Sequence, residues 1–472
     1  MTSKSPTPAE NGDAAKNALP VRASRILSVR LVWLLPLALG AIFVALLTTF
    51  YIGSVVNPLG NLRGLPVRVV NQDRGATVGT RQIDIGRSLQ AGLTRSPAVS
   101  DPLGLTNSTL QAAEQAMNRG DAYATVFIGP GFTASLLNLA AVPGSQPVPA
   151  KPEVVILTNQ RAGTTGVSLA TGVLGPALAS ASHQIGRQLT AIAPHPASAA
   201  TRAFLADPVT VVTTKYRPLP PDTALGLSAF YIALLTLFCG FLGATIINNT
   251  VDAALGYAST ETGPWWRQRP PVPINRLQTL FTKWVLALVL TAVMTGILLL
   301  IAVAGLGMDA PHVGQLWLLT WLCSASVAAG TLVLFAVLGT LGQLVGLIVF
   351  VYAGLASAGG TVPLQALPTA LRWLAEVEPL RQVVDGTRAI LYFNAQADAG
   401  LTRSVTAASA GLIFWLIVGA VAVRLYDARG FYRIDPKLVA YIHATAEAYK
   451  SGGNSGRQSE PGSPDEPAGP DR

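Results

Sequence analysis

Charged residues are scarce in this chain. Only 12% of its 472 residues are Asp, Glu, Lys or Arg, whereas 50% are hydrophobic. Soluble domains carry roughly twice that charged fraction, so we expect much of the chain to face lipid. The net charge of +9 is compatible with nucleic-acid binding, but basic membrane proteins usually hold their excess positive charge in cytoplasmic loops. The expected partner is therefore the lipid bilayer and not nucleic acid.

Residues of the common catalytic and metal sites are also few. The two cysteines, Cys239 and Cys323, both lie inside apolar runs, where a thiol usually serves as a small packing group. None of the four histidines has a cysteine or carboxylate at metal-ligand spacing. The chain has no G-x-x-x-x-G-K-[ST] phosphate loop and no G-x-S-x-G elbow. We expect a protein that is not an enzyme and that uses neither a cofactor nor a metal.

Long apolar runs are what the sequence has instead. A bilayer core of about 30 Å requires about 20 apolar helical residues. On this basis we predict six transmembrane helices, at about 31–53, 223–247, 284–306, 314–338, 343–358 and 404–424. The fourth and fifth come from an uncharged tract, 310–371, which is too long for one span and would turn back near Gly339.

The charges around these runs predict the topology. Arginines precede the first run, and Arg424, Arg429 and Arg433 follow the last. The positive-inside rule therefore places both termini in the cytoplasm, in a multi-pass protein of the plasma membrane. Residues 1–30 and 426–472 are the two cytoplasmic tails. Their composition predicts disorder throughout the first and from about 451 in the second.

One segment, 359–403, fits this topology less well. It falls on the outside, yet it carries four arginines, which four acidic residues balance. An interfacial helix, a re-entrant helix and a further span all stay open as interpretations of this segment.

Residues 54–222, between the first two predicted spans, alternate between strand and helix patterns. Strands are predicted at 66–72, 123–128, 153–157 and 209–213. Helices are predicted at 82–94, 109–118, 132–139 and 166–193. Such alternation predicts a compact α/β domain. The fold class is therefore an α-helical integral membrane protein with six transmembrane helices. An α/β extracytoplasmic domain is inserted between helices 1 and 2, and 223–425 is the membrane domain with helices 2–6.

A turn at the start of this domain contains Asn71, Asp73 and Gly75. In such turns Asn and Asp side chains bond their own backbone, and glycine takes a positive φ. A structural turn is therefore the favoured interpretation, and a ligand-binding pair of Asp73 and Arg74 is the alternative.

Two features of the membrane domain, a group of glycines and an aromatic loop, can each be interpreted in two ways. Gly342 and Gly346, with Gly339 before them, let helices approach closely, which serves dimer interfaces and internal packing alike. Trp265, Trp266 and Arg267 lie in the loop between the second and third spans. They fit a membrane-interface anchor or a docking surface for a partner protein.

Four longer patterns carry a family resemblance over about residues 25–430. They are LPVRVVNQDRGATVG after the first span, NRGDAYATVFIGPGFTASLL, the loop TETGPWWRQRPPVPINRLQTLFTKW, and GGTVPLQALPTALRWLAEVEPLRQVVDGTRAIL. The chain resembles the ABC-2-type membrane proteins, in particular the phage-infection-protein branch, and is similar to the fungal nitrosoguanidine-resistance membrane proteins. The family residues matched in the fourth pattern are Pro363, Pro368, Pro379, Asp385 and Arg388.

The resemblance implies a permease-like subunit that forms a homodimer or heterodimer. A separate ATP-binding subunit would dock on the cytoplasmic loop, at Glu261, Gly263, Trp265, Trp266 and Arg267. Such a system would export amphiphilic compounds, lipids or envelope components. The alternative is a non-transporting scaffold or receptor whose outside domain binds an envelope or secretion partner.

Overall fold

A computed structural model describes residues 27–78, 80–141, 150–192, 199–262, 264–267, 269–431, 433 and 444. The tails predicted to be disordered, and Gly263 of the predicted docking loop, lie outside the described residues, except for the last few residues of the first tail.

The described chain is mostly helical. In chain order its α-helices are α1 Arg30–Leu47, α2 Gly53–Val55, α3 Pro58–Asn61, α4 Ile85–Arg95, α5 Pro97–Ser100, α6 Leu110–Arg119, α7 Phe132–Ala141, α8 Thr164–Ile192, α9 Ala199–Ala206, α10 Ser228–Ala254, α11 Arg276–Leu299, α12 Val313–Leu338, α13 Leu341–Gly346, α14 Ala353–Ser357, α15 Thr369–Val377, α16 Pro379–Tyr392 and α17 Leu401–Ala428. Three π-helical segments continue or join these helices: Thr48–Ile52, Leu300–Gly305 and Leu347–Tyr352.

The strands are fewer and shorter. They are β1 Leu65–Asn71, β2 Ala76–Val78, β3 Arg81–Ile83, β4 Leu103–Asn107, β5 Ala124–Ile128, β6 Glu153–Thr158, β7 Thr210–Lys215, β8 Thr260–Thr262 and β9 Trp265–Arg267.

Five described helices are long and apolar enough to cross a membrane. They are Pro36–Val55, Ser228–Ala254, Arg276–Gly305, Val313–Leu338 and Leu401–Ala428. The place of the predicted fifth span holds a shorter apolar helix, Leu341–Ser357. Length and composition therefore indicate a membrane-spanning protein, with five helices of full span length where six were expected.

The second predicted span, 223–247, is displaced in the structure. Residues Ala224–Gly226 form a 3₁₀ turn, and α10 begins at Ser228 and runs to Ala254. A charged residue near the end of an apolar helix usually terminates the buried part. Here Asp252 stays buried inside the helix because Lys283 and Arg433 bond to its carboxylate, and the helix continues past it.

The segment 359–403 contains two helices that are shorter than a span. α15 has 9 residues and α16 has 14, so neither crosses a bilayer core of about 30 Å alone. α16 packs against α10, α12 and α17. The segment is therefore a helical pair, one member of which enters the helical bundle.

The α/β region is built on one mixed sheet in the order β4-β1-β5-β6-β7. β1 lies parallel to both β4 and β5, β5 and β6 are antiparallel, and β6 and β7 are parallel. Predicted strands near β1, β5, β6 and β7 are confirmed, whereas β4 was not expected. The buried core includes Val67, Val69, Val126, Leu136 and Leu174, which follow the alternation of strands and one face of each helix.

This region rests on the segment 359–403. Arg372 donates to the carbonyl of Asn61 at 2.6 Å, and Arg161 donates to the carbonyl of Tyr392 at 3.0 Å. Arg119 pairs with Asp398 at 2.8 Å. The α/β region is therefore attached to the helical bundle through several polar contacts as well as through the chain.

Candidate functional site: an exposed tryptophan hairpin above a buried ion-pair cluster

The loop between α10 and α11 contains a small antiparallel hairpin. β8 and β9 pair Glu261 with Trp266 and Thr262 with Trp265. The tryptophan side chains project into open space, with exposures of 73% for Trp265 and 60% for Trp266. The sequence predicted these residues as a site in a loop, and the structure adds a strand pair that fixes them. We call this element the tryptophan hairpin.

The base of the loop is tied together by its own backbone. Val272 donates to the carbonyl of Leu255 at 3.0 Å, and the Tyr257 hydroxyl donates to the carbonyl of Val272 at 2.9 Å. Gly256 has a φ of +75°, and a Cβ there would lie 2.6 Å from the carbonyl oxygen of Arg269, so only glycine fits this crossing. These contacts tie the C-terminal end of α10 to the segment that precedes α11.

Directly at these helix ends lies a cluster of Asp252, Lys283 and Arg433, which we call the ion-pair cluster. The Lys283 ammonium donates to Asp252 Oδ1 at 2.7 Å and to Asn248 Oδ1 at 2.8 Å. Arg433 donates to both carboxylate oxygens, at 2.9 and 2.8 Å. These hydrogen bonds raise the pKa of the Arg433 guanidinium, which also lies 4.7 Å from the ring centroid of Tyr257.

The cluster ties three parts of the chain together. Asp252 is on α10, Lys283 is on α11, and Arg433 follows α17. Asp252 and Lys283 are only 6% and 5% exposed. The buried Lys283–Asp252 pair and the bidentate Arg433 have a defined geometry. The three parts of the chain therefore keep one arrangement relative to each other.

A cavity of about 520 Å³ opens beside the cluster. Its basic wall consists of Arg276, Lys283 and Arg433, and α12 supplies an apolar wall. Arg276 donates to the carbonyl of Phe431 at 2.7 Å and lies 5.5 Å from the Tyr426 ring. The cavity therefore lies beside the contacts that join the start of α11 to the end of α17, at the level of the cluster.

Sequence reasoning missed this cluster. In the topology Arg433 counts only as a charge after the last apolar run, and nothing in the sequence connects it with Asp252 or Lys283. A sequence signal for the cluster exists, because Lys283 and Asp252 both lie within apolar runs. Ionisable groups at membrane depth usually pair with one another and have a function.

The turn at Asn71, Asp73 and Gly75 holds two helices in place. Asn71 Oδ1 accepts a hydrogen bond from the Asp73 amide at 3.0 Å, and Gly75 has a φ of +70°. Asp73 accepts from the amide of Gly86, at the start of α4, at 3.2 Å. It also accepts from the amide and the hydroxyl of Thr133, at the start of α7. The Asp73 carboxylate thus lies at two helix N-termini, where negative charge is favourable.

Replacing Asp73 by alanine should destabilise the protein by about 2–3 kcal/mol, because two N-terminal amides and a hydroxyl lose their acceptor. The melting temperature of the purified full-length protein measures this. Arg74→Ala is the matched control, because Arg74 is exposed and should change stability by under about 0.5 kcal/mol. Equal effects of the two substitutions would contradict the capping role.

The three predicted packing glycines have different surroundings. Gly339 ends α12 with a φ of +62° and has open space around it. At Gly342 a Cβ would lie 2.3 Å from the carbonyl oxygen of Leu334, which is backbone. At Gly346 the nearest atom is in the Phe241 side chain, at 3.2 Å.

Gly342→Ala should therefore cost about 2 kcal/mol or more, because backbone atoms of α12 cannot yield as side chains do. Gly346→Ala is the matched variant one turn later and should cost under about 1 kcal/mol. Thermal unfolding of both purified variants tests this prediction. It is wrong if Gly346→Ala is less stable than Gly342→Ala.

The fourth sequence pattern frames α15 and α16. Pro363 precedes a 3₁₀ turn, Pro368 precedes α15, and Pro379 is the first residue of α16. Arg388 donates to the carbonyl of Gly360 at 3.2 Å. The Asp385 carboxylate lies 3.8 Å from Arg381. The three prolines therefore mark the starts of the short helices, and Pro363 and Arg388 line one small cavity.

Comparison with known proteins gives a family. Residues 36–418 match the family described as Protein of unknown function (DUF3533). No curated protein matches the chain. A solved domain attributed to an ABC type-2 transporter of Thermotoga maritima MSB8 matches at 20% identity, over 32% of this chain and 85% of that chain, with a TM-score of 0.23. A TM-score this low does not support any inference about the fold or function of this chain. Because the family match extends over more than half of the chain, the chain belongs to the DUF3533 family.

Proposed function

We propose that the protein is a permease-like membrane subunit of an ABC-2-type export system. It would move amphiphilic compounds, lipids or envelope components outward, with energy from a separate ATPase. The observation that carries the proposal is the tryptophan hairpin, which leaves Trp265 and Trp266 exposed on a loop whose base is tied together. The sequence patterns that resemble this family support the same assignment.

Exposed aromatic pairs on a rigid element favour a docking role. Tryptophan and arginine are the residues most enriched among interface hot spots, and Arg267 completes the strand that carries both tryptophans. The ion-pair cluster lies at the base of the same loop. A partner that closes on the hairpin would therefore act on α10, α11 and the end of α17 together, which is what an ATP-driven permease requires.

The topology of the proposal follows from charge. The hairpin loop and the residues after α17 are basic, so both would be cytoplasmic in the plasma membrane, with the α/β region outside. Only 6% of the residues in the apolar stretch of the first span are buried by the rest of the chain. Its exposed surface would face lipid or a second subunit of a homodimer or heterodimer.

A second candidate is a scaffold or receptor that does not transport. It is favoured by a groove of about 720 Å³ in the α/β region, between α4 and α8. Leu89, Leu93 and Val173 form part of its floor, and Gln184 and Gln188 line its edge. This volume lies within the roughly 300–1,000 Å³ typical of ligand sites, so an envelope component or secretion partner could bind there.

Combined substitution of Trp265, Trp266 and Arg267 by alanine should weaken association with the ATPase at least tenfold, since single hot-spot residues commonly contribute 2 kcal/mol or more. Affinity purification from native membranes in mild detergent, followed by mass spectrometry and an ATPase assay of the eluate, measures this. Trp373→Ala is the matched control, because Trp373 is also 74% exposed but lies on α15, away from the loop.

The two candidates predict different eluates. A stoichiometric nucleotide-binding subunit that is lost in the triple variant and kept in Trp373→Ala supports the permease. Recovery of a stoichiometric envelope or secretion protein without an ATPase, in amounts that the triple substitution does not change, supports the scaffold and contradicts the permease.

A further inference from the structure

The cavity beside the ion-pair cluster has two unlike walls. We call it the basic cavity, because Arg276, Lys283 and Arg433 form one of these walls. The other wall is apolar and includes the stretch of α12 from Leu332 to Leu338. The volume of about 520 Å³ lies within the roughly 300–1,000 Å³ of small-molecule sites. A molecule that matches this lining has an anionic part and an apolar part.

The basic wall includes a cation that is almost fully buried. The Lys283 side chain is only 7% exposed. Its ammonium and Arg433 Nη1 both donate to Asp252 Oδ1, at 2.7 and 2.9 Å, so these two cations are immediate neighbours. Both line the cavity, whereas Asp252 is not among its described lining residues. An anion in the cavity would therefore meet the two cations rather than the carboxylate that they share.

The two arginines of this wall have hydrogen-bond donors to spare. Arg276 uses Nε and Nη2 for the carbonyl of Phe431, at 3.0 and 2.7 Å. Arg433 uses Nη1 and Nη2 for Asp252. Among the described groups, Arg276 Nη1 and Arg433 Nε have no acceptor. Guanidinium groups match the oxygens of phosphate in charge and in geometry, so the basic wall suits a phosphate group.

The charges around the cavity leave a positive excess. The wall contributes three cations, Arg276, Lys283 and Arg433. Two carboxylates oppose them, Asp252 within the cluster and Asp427 at 3.8 Å from Arg276. Three positive charges against two negative charges leave one positive charge without a counter-ion. This excess suits a ligand with a single negative charge, which is the charge of a phosphodiester.

The apolar wall favours a lipid as the source of that phosphate. Its stretch from Leu332 to Leu338 rises about 9 Å along α12, which is long enough to lie beside several methylene groups. Leu332 is buried, whereas Leu338 and Phe431 of the lining are 42% and 58% exposed. Free phosphate would leave this apolar surface in water, whereas an acyl chain would cover it, which is favourable.

We propose that the basic cavity binds an anionic phospholipid, whose phosphodiester accepts hydrogen bonds from the basic wall and whose acyl chain lies along α12. Arg276 begins α11 and Arg433 follows α17, at the ends of these helices that the positive-inside rule places in the cytoplasm. The cytoplasmic leaflet is the one with anionic lipids, and basic pockets between transmembrane helices bind their head groups. The inference goes beyond the proposed transport function, since it concerns a lipid held at the ion-pair cluster.

The test is native mass spectrometry of the purified full-length protein in detergent, titrated with dioleoyl phosphatidylglycerol or with dioleoyl phosphatidylcholine. Both lipids have the same chains and a phosphodiester, but only phosphatidylglycerol has a net negative charge. The first molecule of phosphatidylglycerol should bind at least tenfold more tightly than the first molecule of phosphatidylcholine. Inorganic phosphate and glycerol phosphate, at the concentration of the lipid, should not displace it because they have no chain.

Two variants probe the two walls. Arg276→Gln removes a cation that is not a member of the ion-pair cluster, and Ala336→Phe adds bulk to the lining contributed by α12. Each should weaken the binding of phosphatidylglycerol at least tenfold. Arg424→Gln is the matched control, because it removes the same charge from an exposed position of α17 outside the cavity. It should change the affinity less than twofold.

Four results would overturn the assignment. The first is equal affinity for the two lipids, and the second is displacement of phosphatidylglycerol by inorganic phosphate. The third is equal weakening by Arg276→Gln and Arg424→Gln, which would indicate attraction to the surface in general. The fourth is unchanged binding in an Ala336→Phe variant whose melting temperature shows that it is folded. The assay involves neither an ATPase nor transport, so its failure and the failure of the docking experiment are independent.

Discussion

Replacing Asp252 by asparagine is expected to destabilise the protein by about 3–5 kcal/mol, because it leaves Lys283 and Arg433 without their shared counter-ion. The Lys283 side chain is only 7% exposed and lines the cavity beside the cluster. Arg433 is 35% exposed and can turn outward more easily. Most of the loss should therefore come from lysine. The melting temperature of the purified protein in detergent measures the effect.

Two further variants show whether burial of the charge is the cause. Asp427→Asn removes a carboxylate that is 34% exposed and 3.8 Å from Arg276, and it should cost under about 1 kcal/mol. Adding Lys283→Met to Asp252→Asn removes the buried cation as well, and it should recover much of the stability. If the double variant is no more stable than Asp252→Asn, the loss has another origin.

The loss should also appear in function if the cluster passes movement from the hairpin to the helices. The double variant Asp252→Asn with Lys283→Met is expected to keep the fold but lacks the ionic connection between α10 and α11. We expect it to bind the proposed ATPase normally and to transport poorly. Normal transport by a folded double variant would show that the cluster serves stability alone.

Much of the fold can be predicted from sequence because its signals are local. The runs of uncharged apolar residues correspond to the long helices, and alternating valines such as Val67 and Val69 correspond to β1. β4 is different, because Leu103–Asn107 includes Gly104 and ends in polar residues. A Cβ at Gly104 would lie 2.9 Å from the carbonyl of Gly64, so close packing, which sequence does not show, selects this strand.

The candidate sites are less predictable because their members are distant in sequence. Asp252 and Arg433 are separated by 181 positions, and only the fold brings them together. The tryptophan hairpin could be located, since its residues are adjacent, but not its strand pairing.

Raising the pH from 5 to 9 should lower the stability of the protein through Glu378. Its carboxyl has an ordinary pKa of 4.5, which burial raises to about 8 in the folded protein. Between these values the folded state holds a proton that the unfolded state has lost. The stabilising contribution is complete below about pH 4.5 and is lost as the pH rises through 8. At about 1.4 kcal/mol per pKa unit, the loss is of the order of 4–5 kcal/mol.

Glu378→Gln should remove this part of the pH dependence, because the amide is neutral throughout and fits the same site. Glu376→Gln is the matched control. Hydrogen bonding from Arg381 lowers the pKa of Glu376, so that carboxylate is charged in both states above about pH 6 and adds no downward slope between pH 6 and 9. The measurement is the melting temperature of the original protein, Glu378→Gln and Glu376→Gln between pH 5 and 9. If Glu378→Gln loses stability with pH as steeply as the original protein, another group binds the proton.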